Sequence, residues 1–241
     1  MSATLDTEAL AEEVRAAGFA FVPAQPMRSV LEAHGSLADW DAFAASWDDL
    51  GLDTYMADGG RYRKRRHAAF AVNAGRVVRK PHQAHYQSRD YNSLNGGIAR
   101  WFDPVLPEVA GGPTMHTVLS SCCVLFDRLS GPQSWHAEVH QFRIEARAGA
   151  AGRPTPEGMH RDGVDHVLVL LIGRTNIREG VTTTHDLSGR LLGSFTLTEP
   201  FDAALVDDHR VMHGVTPVAP IDPGKPAHRD VLVVTFRQDD A

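Results

Sequence analysis

Apolar and polar positions follow two rhythms along the chain, and the change falls near residue 130. In residues 7–17 (TEALAEEVRAA), Leu10, Val14 and Ala17 share one stripe and Gly18 supplies a stop, which predicts a short helix. Leu37, Trp40, Phe43, Trp47 and Leu50 recur at spacings near three and four, predicting a second amphipathic helix over 36–50. Its aromatics read as core, not as a cofactor box. Between about 60 and 130 the pattern is mixed, with turn signals at Asp58-Gly59-Gly60, Asn95-Gly96-Gly97 and Gly111-Gly112-Pro113. From about 135 onward, short apolar segments recur at 138–145, 164–172, 181–186, 191–198, 203–206, 211–219 and 230–237, separated by Gly, Pro and Asp. Short strands at this spacing, without a long helix between them, read as a sandwich or jelly roll. Residues 167–172 (VLVLLI) are apolar on both faces, as in a strand at the middle of a two-sheet core. The expected fold is mainly β with a helical N-terminal part: a double-stranded β-helix (jelly roll, cupin-like) with flanking helices. Residues 1–241 form one domain in this reading, with a cap over 1–130 and the core over 135–241.

Composition removes several classes of function. The formal net charge is −6, spread without acidic or basic tails, which argues against nucleic acid or an anionic membrane as the main partner. The basic run Arg61-Tyr62-Arg63-Lys64-Arg65-Arg66 reads as a solvated strand or loop face in so acidic a chain. The two cysteines, Cys122 and Cys123, are adjacent and suit neither a disulfide nor a metal knuckle. The start, Met1-Ser2-Ala3-Thr4-Leu5-Asp6, lacks the basic and apolar regions of a signal peptide, and no apolar run approaches the length of a bilayer span. The expectation is a cytoplasmic protein.

Among 13 histidines a single one means little, so their placement against the strands decides. His160-Arg161-Asp162 lies directly before the 164–172 segment, and residues i and i+2 of an extended segment point the same way. His160 and Asp162 can therefore grip one ion together. His213, at the start of the penultimate strand, supplies a third ligand. Two imidazoles and a carboxylate on one face of an octahedron leave open positions, the arrangement suited to non-haem iron(II) and oxygen. The other histidines default to structural roles. His209 and His213 have the spacing of helical zinc ligands, but lack the HExxH glutamate. His166 reads as a hydrogen-bonded core residue, and His82, His85, His116, His136, His140 and His185 as structural.

Several longer stretches carry a resemblance. They are His140-Gln141-Phe142-Arg143-Ile144, Pro154 to Gly163, Arg174-Thr175-Asn176-Ile177, Asp207 to Pro217 and Arg229-Asp230-Val231-Leu232. Upstream, Asp53 to Arg63 and Asn95-Gly96-Gly97 join them. Together they resemble the 2OG-Fe dioxygenase family that contains the bacterial L-isoleucine hydroxylases. One departure is Glu179-Gly180, where paired glycines are expected; it bears on a strand bend. The resemblance implies an iron(II) site at His160, Asp162 and His213, with 2-oxoglutarate and O2 as co-substrates and the side chain of a free L-amino acid as the group hydroxylated. It also implies an arginine on the last strand that clamps the far carboxylate of 2-oxoglutarate, a task suited to a planar, permanently charged fork. Arg229 and Arg237 share strand parity, so geometry leaves both open; the family's placement favours Arg229. On the strand before the HxD, Gln141 is a candidate donor to 2-oxoglutarate and Arg143 a candidate partner for a substrate carboxylate, unless that face is solvated. Two other readings compete: a cupin-type metal isomerase or hydrolase without 2-oxoglutarate, which needs no Arg229, and a non-catalytic small-molecule-binding barrel with a structural metal.

Overall fold

The computed structural model describes residues 6–239. The opening residues 1–5, on which the signal-peptide reading rested, lie outside that range. Asp6 caps helix α1 (Thr7–Ala17) by accepting from the Ala9 N–H, and Gly18, at φ +82°, ends it as expected. After strand β1 (Phe19–Val22) comes α2 (Ala24–Glu32). The helix expected over 36–50 is shorter: α3 spans Trp40–Ala45 and runs into a 3-10 turn at Ser46–Asp49. Phe43 and Trp47 still bury themselves, as their spacing requires.

The mixed region resolves into strands β2 (Arg63–Asn73) and β3 (Arg76–Arg79) and helices α4 (Pro107–Ala110) and α5 (Pro113–Ser130). Pro113 opens α5, where its missing N–H costs nothing, and Asp39 accepts from the Thr114 N–H. Cys122 and Cys123 are unpaired and buried on this helix. No described helix is long and apolar enough to cross a membrane.

The remaining strands are β4 (Trp135–Ala146), β5 (His166–Thr175), β6 (Ile177–Glu179), β7 (Thr182–Asp186), β8 (Leu191–Phe195), β9 (Ala203–Asp207), β10 (Val211–Val215), β11 (Val218–Pro220) and β12 (Ala227–Gln238). All the described pairings in the large sheet are antiparallel, in the order β1-β9-β5-β12-β4-β2-β3; opposing it are the sheets β10-β7-β8 and β11-β6. This mostly β architecture is the jelly roll that the strand spacing predicted.

Period-2 alternation sorts the large sheet into two buried faces. Phe70, Val72, Ala137, Val139, Leu168, Leu170, Leu232, Val234 and Phe236 pack with Leu10, Met115, Leu119 and Phe126 of α1 and α5 in the main core. The opposite face carries Phe142, Val169, Val231 and Val233 and turns toward the small sheets, where an interior chamber opens. Both faces of β5 are therefore apolar because helices cover one and the chamber wall the other.

Candidate active site

The chamber, about 490 Å3, is lined from β2, β4, β5, β7, β10 and β12 together with the segments 83–92 and 154–164. It holds His160, Asp162 and His213, whose donor atoms lie within 4.8 Å of one another. A two-way backbone bridge builds this placement. His160 N–H donates to the His213 carbonyl and His213 N–H to the His160 carbonyl, each at 2.9 Å. His160 Nε2 stands 3.6 Å from Asp162 Oδ1, and His213 Nε2 stands 3.5 Å from Asp162 Oδ2. Those gaps admit one ion with ligand bonds of about 2 Å.

The surroundings orient the donors. His160 Nδ1–H donates to the Gly158 carbonyl at 3.1 Å, which leaves the Nε2 lone pair free for a metal. Asp208 accepts the N–H groups of Asp162, Gly163 and Val164 at 2.9, 2.7 and 3.1 Å and so fixes the loop that carries the carboxylate. Gly163 has φ +80°, and a Cβ there would lie 2.5 Å from the Tyr91 ring, so the turn takes glycine for both reasons. Burial and the neighbouring His160 push His213 down to about 4, toward its neutral, ligating form. Burial also opposes the charged form of His160, but Asp162 outweighs it and raises that group to about 9. Asp162 itself is held low against burial by the same histidines. An ion in place of the proton resolves all three, and the donor set fits a divalent transition metal.

The Arg229 guanidinium reaches the chamber from β12 and is 2% exposed. Its Nε and Nη2 have no hydrogen-bond partner, and burial, with Arg174 nearby, lowers it to about 10. A buried, unpaired fork of this kind is suited to pairing with a carboxylate. Arg237 shares its face but is exposed at the strand's end. At the Glu179-Gly180 bend both residues take positive φ, +66° and +77°, and the Glu179 carbonyl accepts from Arg174 at 2.8 Å.

Two expectations need correction. Gln141 is fully buried on the helix-facing side of β4, donating to Ser46 Oγ at 2.8 Å. Arg143 lies on that side too, bound to both Asp230 oxygens at 2.8 and 2.7 Å and to Asp48 at 2.8 Å. Strand parity is the cause: His136, Glu138, His140, Phe142 and Ile144 face the chamber, so the intervening residues cannot. Neither Gln141 nor Arg143 reaches the site.

The same parity overturns the solvated reading of the basic run. Lys64 and Arg66 point away, while Arg63 and Arg65 are buried in the chamber wall around Asp53. A second cluster, His67, His85, Glu138 and His140, also gathers donor atoms within 4.8 Å of one another. Its sequence signal lies on β4, where the polar residues His136, Glu138 and His140 alternate with the apolar Trp135, Ala137 and Val139. Arg100 and Glu157, both chamber residues, carry no such local signal.

Comparison with known proteins follows this geometry. The model of a 2OG-Fe dioxygenase family matches residues 44–235. The chain is 27% identical over 233 residues to the 3(1)-hydroxy-L-isoleucine 4-dioxygenase of Pantoea ananatis, covering 92% of this chain and 93% of that protein. To the L-isoleucine-4-hydroxylase of Bacillus thuringiensis it is 26% identical over 156 residues, 63% of this chain and 64% of the relative. A crystal structure of a bsmA homologue from Methylobium petroleophilum superposes with a TM-score of 0.89 at 38% identity, covering 99% of this chain and 95% of the other.

Proposed function

The chain belongs to the 2OG-Fe dioxygenase family, and from that premise we propose that it hydroxylates the side chain of a free L-amino acid, with His160, Asp162 and His213 as the ligands of iron(II) and Arg229 as the clamp on the far carboxylate of 2-oxoglutarate. The observation that carries this reading is the pairing, in one chamber, of a three-donor group with an unpartnered buried guanidinium. A cupin isomerase that does not bind 2-oxoglutarate has no use for such a fork, and a closed structural metal would draw a fourth protein ligand. The amino-acid substrate is supported by the named activities of the Pantoea and Bacillus relatives. A cytoplasmic location agrees with two buried free thiols.

Bound iron(II) supplies the coupling of oxygen reduction to the decarboxylation of 2-oxoglutarate and the oxidation of a C–H bond. The chain's share is orientation. His160 and His213 offer neutral Nε2 donors from two segments locked by their backbone bridge, and Asp162 supplies the single negative charge of the set. Arg229 fixes the co-substrate's far end, and Val169, Val231 and Val233 line the walls with apolar surface that keeps reactive oxygen from water and from oxidisable side chains.

The test is turnover. Purified protein with iron(II), 2-oxoglutarate and oxygen, offered a panel of free L-amino acids, should release succinate together with a product heavier by one oxygen atom. Succinate release that no amino acid accelerates, with no oxidised product, would discard the substrate class.

A further inference from the structure

Three buried guanidinia in the chamber, those of Arg65, Arg100 and Arg229, leave Nε without a partner, but Arg65 is engaged through its Nη atoms with His140 and Asp53. Arg100, 2% exposed, is like Arg229 in making no side-chain hydrogen bond among the described residues. The nearest arginines consume the local acid: Arg63 Nε binds Asp53 Oδ2 at 2.7 Å, and Arg65 Nη1 lies 3.6 Å from the same oxygen. Arg100 is left with the Phe102 ring, 5.7 Å from its guanidinium carbon. The two free arginines see different surroundings. The charges acting on Arg229 are Arg174 and Asp230, whereas those acting on Arg100 are Arg63, Asp53, Glu157 and Glu138. Two separate unpaired guanidinia suit two carboxylate-bearing ligands, and the proposed binding of 2-oxoglutarate accounts for one.

Beside Arg100 stands a receptor of the opposite sign. Arg100 and His85 are bridge partners, N–H to carbonyl at 2.9 Å in both directions, and His85 Nδ1 lies 2.5 Å from Glu138 Oε2. His136, His67 and His140 each present Nε2 to Glu138 at 3.5, 3.7 and 3.7 Å. Burial opposes the charge of this carboxylate, but the surrounding imidazoles hold it ionised. A metal is a poor match for the cluster. Arg65 Nη2 donates to His140 Nδ1 at 2.7 Å, which puts the ring's proton on Nε2, the atom facing Glu138. The cationic Arg65 and Arg100 alongside also repel a dication. An ammonium group instead brings hydrogens to a carboxylate and carries one charge.

We propose that Arg100 and Glu138 form the pole of the chamber that reads the amino acid itself: Arg100 takes the α-carboxylate, Glu138 accepts from the α-ammonium, and the side chain extends toward the His160–Asp162–His213 end. The two poles are held side by side through His85, whose backbone pairs with Arg100 in both directions while its ring contacts Glu138, and the Glu138 charge acts on Arg100. Glu157 lies between the two ends, its Oε1 3.7 Å from His160 Nε2 while its charge also acts on Arg100. The inference rests on the amino-acid reading above and sharpens it: recognition lies in the backbone groups common to all amino acids.

Calorimetry on oxygen-free protein loaded with iron(II) and 2-oxoglutarate tests it, using the twenty protein L-amino acids and then the primary amide and N-acetyl derivative of each binder. At least one amino acid should bind, with both derivatives weaker by about 100-fold or more, as expected when a buried charged partner is lost. Arg100→Met and Glu138→Gln should lose amino-acid affinity on the same scale while keeping that for 2-oxoglutarate, which also reports that they fold. The derivative arm needs no variant, so a misfolded Arg100→Met leaves the test standing. The proposal is overturned if none of the twenty binds the loaded protein, if amides bind as well as acids, or if Arg100→Met loses 2-oxoglutarate instead. A second equivalent of iron(II) that Glu138→Gln abolishes also overturns it, in favour of a metal. Failure of the wild type to take up 2-oxoglutarate at all would fall on the proposed function instead.

Discussion

The His160–Asp162–His213 group and the His67–His85–Glu138–His140 group meet one chamber, the second with His67 buried behind its lining, and each gathers imidazoles around a carboxylate within 4.8 Å. What separates them is the hydrogen bond on the far side of the ring. His160 gives its Nδ1 proton to the Gly158 carbonyl and keeps a lone pair for an ion. His140 accepts a hydrogen bond from Arg65 at Nδ1, so its Nε2 is a donor aimed at Glu138. Counting histidines therefore does not identify a metal centre; the far-side hydrogen bonds of His160 and His140 separate the two groups, whereas His213 Nδ1 has no partner.

The comparison breaks most easily at the metal. Asp162→Ala should lower iron(II) affinity by about 100-fold or more in a titration of folded protein, because it removes a ligand and the only charge of the set. Glu138→Gln should leave that affinity within a few fold. Equal losses would make the two clusters alike and undo the distinction.

A stability effect of roughly 3–5 kcal/mol is expected from Asp53→Asn in chemical denaturation, since Arg63 and Arg65 would be left as uncompensated buried charges. Burial favours the neutral form of Asp53, but Arg63 and then Arg65 outweigh it and hold the pKa below its ordinary value. The sign follows: this stabilisation is complete above the ordinary aspartate range and is lost as pH falls through and below it. The variant should accordingly show a smaller acid-induced loss of stability than the wild type.

The proposed clamp should give a smaller change confined to one ligand. Arg229→Met should weaken 2-oxoglutarate by about 2–5 kcal/mol with iron(II) affinity unaltered, whereas Arg237→Ala should cost under about 1 kcal/mol because that charge is solvated. A larger loss from Arg237→Ala in the same binding assay would reverse their roles.

How legible each feature was in the sequence depends on the range of the interaction that makes it. The strands from 135 onward follow from local alternation and turn residues, and the turn residues also cut the single expected segment 211–219 into β10 and β11. Helix α5 carries Met115, Val118, Leu119, Cys122, Leu125 and Phe126 at helical spacing, yet its polar neighbours Thr114, Thr117 and Ser121 are buried too, so no clean polar face marks it. Gln141 and Arg143 misled for a related reason: helices cover the face of β4 away from the chamber, so a polar side chain there can be buried without serving the site. Arg100 stands outside the regular strands and owes its meaning to Asp53 being shared by two other arginines, a fact of tertiary structure alone.

The proposed three-ligand metal centre leaves room for a keto acid beside it. Its most direct test is the visible absorption of the protein mixed with iron(II) and 2-oxoglutarate in the absence of oxygen. Wild type and Glu138→Gln should both develop the weak charge-transfer band of a chelated 2-oxo acid, and Asp162→Ala and His213→Ala should not. No band in wild type that demonstrably holds iron, or a band that survives Asp162→Ala and vanishes in Glu138→Gln, would contradict the account.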